Sequence, residues 1–138
     1  QPTAKQIAYA KAVLASNAPK PVSGLANAYA HRTLALANGP REEEIVLQAL
    51  RLGEVGITSI PCEVLCEIGL TLKAKSPLPQ ATFTIELANG HNGYLPTPRQ
   101  HALGGYETWM GTCTLELLAS VKIQKVLLEM LEKVASKD

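Results

Sequence analysis

The sequence predicts an α/β (α+β) fold in which a small sheet is flanked by long helices. Three observations carry that expectation. Residues 3–16, 23–37, 63–75 and 115–135 repeat apolar side chains at helical spacing. Residues 44–52, 54–60 and 81–88 are short aliphatic runs, the first two separated by Gly53 and the second closed by Pro61. The two kinds of segment alternate in the order α-α-β-β-α-β-(short α)-α, a pattern that builds layers rather than a bundle or a barrel.

Each element has a local reason. In the first helix Ile7, Ala10 and Leu14 share a face, with Tyr9 and Val13 one turn apart, and Asn17-Ala18-Pro19-Lys20-Pro21 breaks it. The second has Leu25, Tyr29 and Leu36 near one stripe. It stops at Asn38-Gly39-Pro40, where Gly accepts a left-handed conformation and Pro cannot continue a helix. Gly53-Glu54 suits a tight connection, so the first two strands are expected to form a hairpin. The helix at 63–75 carries Val64, Ile68 and Leu72 at i, i+4 and i+8, and ends at Ser76-Pro77-Leu78-Pro79. In the strand at 81–88, Phe83, Ile85 and Leu87 alternate with Thr82, Thr84 and Glu86. That alternation predicts a buried apolar face and a polar one. Thr97-Pro98-Arg99-Gln100 reads as a capping box with Pro at the first helical position, and Gly104-Gly105 closes that short helix. The last helix places Ile123, Leu127, Met130 and Val134 on one side, with Lys and Glu on its wet face. Three strands are few for so much helix, so further strands are expected elsewhere in a larger domain.

Composition narrows the function classes. A chain of 138 residues with 46% apolar content fits one domain or part of one. Thirteen Lys and Arg against twelve Asp and Glu give a net charge of +1, which supplies no electrostatic reason to expect nucleic acid or an anionic membrane as partner. No stretch approaches the ~20 apolar residues of a transmembrane segment. No signal peptide opens the chain. It begins at Gln1, as a cleaved leader, a removed tag or a fragment would each explain, and localisation stays unknown. The odd set Cys62, Cys66 and Cys113 makes no disulfide framework and reads as small buried hydrophobes.

The chemistry-bearing residues cluster after the strands. Glu63 follows Ile60-Pro61-Cys62, where a strand gives way to a helix. Its carboxylate can serve the helix N-terminus, or project into the crevice beyond the strand's carboxyl end, where α/β sheets bind ligands. Asn89-Gly90-His91-Asn92-Gly93-Tyr94 follows the clearest strand, and a turn explains its glycines but does not require Tyr94. Tyr106 follows Gly104-Gly105 and precedes Glu107 and Trp109; a half-buried aromatic with a satisfied hydroxyl is the plain alternative. His91 and His101 are ten residues apart and form no short-spaced ligand pair; they and His31 read as ordinary polar residues. No nucleophile elbow and no phosphate-binding glycine loop is present. Residue spacing alone therefore yields a candidate crevice of Glu63, Tyr94 and Tyr106, and no reaction.

Taken in order, Ile60-Pro61-Cys62-Glu63, Ala88-Asn89-Gly90-His91-Asn92-Gly93-Tyr94-Leu95-Pro96-Thr97 and Gly104-Gly105-Tyr106-Glu107 resemble the neutral/alkaline (non-lysosomal) ceramidase family, and its short bacterial members more closely. The resemblance implies that residues 1–138 are the C-terminal segment of a larger layered zinc-hydrolase domain, an incomplete domain. It implies a zinc-dependent amidohydrolase acting on an N-acyl amide, with a ceramide-like lipid as a possible substrate. Glu63 and Tyr94 match that family's two later zinc ligands, and Tyr106 matches a tyrosine beside the scissile amide. Asn89, His91 and Gly93 match positions that surround the metal or contact substrate. The family's two zinc histidines come from an earlier segment, so this chain supplies half of the zinc site and its implied partner is the upstream half of the domain. Cys62 stands where glycine is usual, and His91 where an aromatic residue is common. The isolated chain is then expected to be inactive. The alternative expectation is a non-catalytic module that self-associates or pairs with a missing chain.

Overall fold

The structure, a computed structural model, describes residues 1–15, 25–78 and 81–136. The break expected at 17–21 and Pro79 lie outside the described residues. The chain divides into two compact units, residues 1–43 and 44–138.

The first unit is a pair of helices, α1 (Ala4–Ala15) and α2 (Leu25–Asn38), packed on each other. Thr3 opens α1 with reciprocal bonds: its amide donates to Gln6 Oε1 (2.8 Å) and its Oγ1 accepts from the Gln6 amide (3.3 Å). Such a box satisfies donors that the first helical turn leaves orphaned. The side chains buried here are small: Ala10, Ala30 and Thr33, the last donating to the Tyr29 carbonyl at 2.8 Å. Leu25 and Tyr9 point to solvent instead of filling a stripe. As expected, α2 ends at Asn38.

The second unit holds the sheet. Strands β1 (Gln48–Leu52) and β2 (Val55–Ile60) form the expected antiparallel hairpin, and β4 (Thr82–Glu86) joins β2 in parallel, giving the order β1-β2-β4. Two shorter strands, β3 (Glu63–Val64) and β5 (Tyr94–Leu95), form a separate parallel pair. Helix α3 (Cys66–Lys75) links β3 to β4, the short α4 spans Pro98–Leu103, a single 3-10 turn covers Tyr106–Thr108, and α5 (Ala119–Ala135) closes the chain. The expected element order holds, with the β3–β5 pair added. Among the described residues no helix is long and apolar enough to cross a membrane.

Helices α3 and α5 pack against the sheet and each other. Ile60, Ile68, Leu72, Leu95, Leu127 and Leu131 are wholly buried, each stabilising by roughly 1.5–3 kcal/mol. On α5 Leu131 occupies the core, while Met130 and Val134, expected there, are only partly buried.

Several expectations need correction. The last helix, expected from 115, begins at Ala119, and Cys66, expected to be buried, is exposed. The alternation in β4 is inverted: Thr82 is 2% exposed, whereas Phe83 and Ile85 are 49% and 45% exposed. The helices lie over the threonine face because its hydroxyls satisfy one another. Thr58 and Thr84 meet at 2.9 Å, Ser76 and Thr82 at 2.8 Å, and Thr82 Oγ1 donates to the Leu78 carbonyl at 2.6 Å. A hydroxyl so bonded escapes the burial penalty, and its methyl packs. The helix expected from 63 begins at Cys66, because Glu63 and Val64 are extended and pair with Tyr94 and Leu95, their amides donating to the Gly93 carbonyl (3.0 Å) and to Glu86 Oε2 (2.9 Å). The strand expected from 44 begins at Gln48, where pairing with Ser59 starts.

Candidate functional site

Strands β2 and β4 run parallel, so their carboxyl ends open on the same side. The chain leaving β2 passes through Pro61 and Cys62 to Glu63, and the chain leaving β4 returns through residues 87–93 to Tyr94. Backbone bonds sew the two segments together. The Leu87 amide donates to the Cys62 carbonyl (3.1 Å), that of Asn92 to Pro61 (2.8 Å) and that of Glu63 to Gly93 (3.0 Å). The result is a direct cross-strand pairing of Glu63 with Tyr94. Directly opposed residues in a ladder point to the same face, so the two side chains meet.

Gly93 makes this possible. Its φ is +75°, and a Cβ there would lie 2.5 Å from the Thr112 carbonyl oxygen. The same carbonyl accepts from the Tyr94 amide at 3.2 Å, so the 110–114 loop closes on β5 only where no side chain intervenes.

The electrostatics are coupled. The Tyr94 hydroxyl, donating toward the Glu63 carboxylate, is the main reason that carboxyl is held below the usual range; partial burial opposes it and His91 adds to it. His91 Nε2 lies 3.3 Å from Glu63 Oε1. The same hydrogen bond pushes the Tyr94 phenol up to about 12, because ionising it would cost the bond and set two anions together. Tyr106 reaches this pair through its ring, which meets that of Tyr94 edge-on with centroids 5.7 Å apart and planes at 80°. Trp109 continues the series, 5.7 Å from Tyr106 at 66°.

Glu63, His91, Tyr94 and Tyr106 are thus brought together. Asn89 is not: its side-chain amide donates to Gln48 Oε1 (2.7 Å) and Ser59 Oγ (3.4 Å), tying the turn to the sheet. Gly93 acts through backbone space. Cys62 packs in the core, its thiol pushed up to about 11 by burial and then by Cys113, which suits a small hydrophobe and not a thiolate ligand. With Glu63 on β3 rather than in α3, the helix-terminus role passes to Glu67 in the first turn of α3.

Glu63 and Tyr94 offer oxygen donors on one face, with the His91 imidazole alongside. Among the described residues no group of three His, Cys, Asp or Glu side chains could hold a metal, so any metal held here would need ligands from outside them. Three residues were named in the sequence without a part in this cluster. Glu86 fixes β3 by accepting from Val64, and its signal was a carboxylate at the end of a strand. Glu107 lends its field to Tyr94, and Trp109 extends the ring series. The signal for Trp109 was its spacing of three from Tyr106, one 3-10 turn. No family model, curated protein or solved structure matches the chain.

Proposed function

We propose that the chain is the C-terminal portion of a zinc-dependent amidohydrolase resembling neutral ceramidase, cleaving an N-acyl amide. The observation that carries this reading is the in-register pairing of Glu63 with Tyr94, with Tyr106 edge-on beside them. These three residues match that family's motifs, and they lie side by side in the fold. Glu63 and Tyr94 would hold the zinc, and when bound it supplies Lewis-acid polarisation of the amide carbonyl and activation of water. The resemblance implies two histidines beside Glu63 and Tyr94, so the remaining ligands would come from a partner segment, with a position left open for water or substrate. The chain's own residues do the rest. His91 orients the Glu63 carboxylate, and Tyr106 offers a phenol to an oxyanion developing at the amide carbon, a donor worth on the order of 10²–10³ in rate. Calorimetric titration with zinc tests the reading. Weak binding that Glu63→Gln abolishes, without amide hydrolysis, is expected. Tight stoichiometric binding with amidase activity would overturn the half-site, and no zinc response at Glu63 or Tyr94 would overturn the metal reading.

One observation favours a second reading. Leu50, Leu52, Phe83 and Ile85 are exposed, and the strand register sets them on one face of the sheet. Clustered apolar surface of this kind marks association. A non-catalytic module would self-associate through it without metal, which light scattering with and without zinc distinguishes.

A further inference from the structure

Tyr106 and Trp109 leave 48% and 49% of their surface in solvent. Neither sits on a loose loop. The Trp109 amide donates to the Tyr106 carbonyl (3.2 Å), and the Trp109 carbonyl accepts from the amides of Thr112 (2.9 Å) and Cys113 (3.0 Å). The Thr112 carbonyl in turn receives the Tyr94 amide, so the backbone bearing both rings is tied to the Glu63–Tyr94 pair, and edge-on contacts link the rings of Tyr94, Tyr106 and Trp109. Rings held in place before a ligand arrives lose little freedom when covered, which makes them binding surface rather than waste.

Two carboxylates bear on this cluster, with the His91 imidazole beside one of them. Glu63 lies against Tyr94. Glu107 lies in the chain between Tyr106 and Trp109, and its Oε2 turns back so that a Cβ on Gly105 would stand 3.1 Å from it. Among the described residues neither carboxylate forms an ion pair with Lys or Arg, and Glu63 pairs only with His91. Faces of Trp and Tyr attract cations through the ring quadrupole, and carboxylates attract them by charge. A neutral apolar group would gain from the rings alone, an inorganic cation mainly from the carboxylates. A ligand that gains from both is a cation with an apolar body. We propose that Tyr106, Trp109 and Glu107, beside Glu63 and Tyr94, form a subsite for an organic ammonium group.

Its use in catalysis rests on the amidohydrolase reading. Hydrolysis breaks the amide C–N bond, adds the water oxygen to the acyl carbon and leaves the nitrogen as an amine. An alkylamine takes a proton from solvent at neutral pH and becomes an ammonium ion. The subsite would hold that leaving side. Binding itself requires neither zinc nor turnover.

Trp109 is the only tryptophan, so its emission reports the subsite directly. The whole chain is titrated with choline and, separately, with 3,3-dimethylbutan-1-ol, its neutral isostere. Choline is expected to give a saturable change in the millimolar range and to bind about threefold or more tightly than the alcohol, the scale of an exposed cation–π contact. Glu107→Gln should weaken choline by a similar factor while leaving the alcohol unchanged. Tyr106→Leu, which keeps an apolar side chain without a ring face, should do likewise and provides a second test if the first variant misfolds. Chelator should have no effect. No saturable response to choline, equal responses to both compounds, or unchanged choline affinity in both variants would overturn the subsite. Choline binding without any zinc response would overturn only the amidohydrolase reading, and zinc binding without choline binding only the subsite.

Discussion

Replacing Gly93 with alanine should damage the site more than an equivalent change elsewhere, and Gly53 supplies the control. Both glycines have left-handed backbones, φ +75° and +60°. An added Cβ at Gly53 meets nothing within 4 Å, whereas at Gly93 it meets the Thr112 carbonyl oxygen at 2.5 Å. Gly53→Ala should therefore cost only the conformational strain, roughly 1–2 kcal/mol. Gly93→Ala carries that strain and a collision with backbone. Relief requires Thr112 to move away, which breaks its bond from the Tyr94 amide and leaves a partly buried pair unsatisfied, a further cost of roughly 1–3 kcal/mol. The total is about 2–5 kcal/mol, so the two variants should differ by about 1–3 kcal/mol. Both sites lie in the 44–138 unit, and so does Trp109, whose fluorescence during urea unfolding reads that unit alone. Equal destabilisation by the two substitutions would refute the close approach of the 110–114 loop to β5, and with it the placement of Tyr94.

Other consequences can be measured separately. Thr82→Val keeps the shape but strips the hydroxyl shared with Ser76 and the Leu78 carbonyl, and should lower the urea midpoint by the equivalent of roughly 1–3 kcal/mol; a neutral result would contradict the buried threonine face. NMR titration should find the Glu63 carboxyl below the ordinary range, rising toward it in Tyr94→Phe, since the phenol is the main cause of the shift. The same bond fixes the sign of the pH dependence. Glu63 adds stability above the usual carboxylate range and loses it as pH falls through its lowered value. Tyr94 adds stability below about pH 10 and loses it as pH rises toward 12. Of the three thiols only Cys66 is exposed, so a thiol reagent should modify one cysteine in the folded chain and all three in urea; rapid modification of Cys62 would contradict its burial.

Helix and strand order was legible because periodicity and punctuation report local geometry. The capping box at Thr97 and Gln100 formed as read, with Pro98 at the first helical position. What stayed hidden was pairing. Nothing local to Glu63 and Val64 announces a strand, because two residues have no period; their extended state comes from Tyr94 and Leu95, about thirty positions on, and from Glu86. Glu63 and Tyr94 could be named as candidates from their motifs, but their contact is a long-range fact.

The inversion of β4 has the same origin and bears on function. Alternation states that a strand has two unlike faces, and the side chains opposite decide which is buried. Thr58, Thr82 and Thr84 bond among themselves and with Ser76, so the polar face can go under α3 and α5 without penalty. That arrangement leaves Phe83 and Ile85 outward beside Leu50. The sheet thus keeps its hydroxyls inside and presents aliphatic and aromatic side chains on its second face. This agrees with both readings of the chain, since a partner segment completing a zinc site and a second copy would each bury it. What separates them is the paired Glu63 and Tyr94. The hydrolase reading proposed above rests on that pair, which lies beyond the carboxyl ends of two parallel strands, where α/β sheets bind ligands.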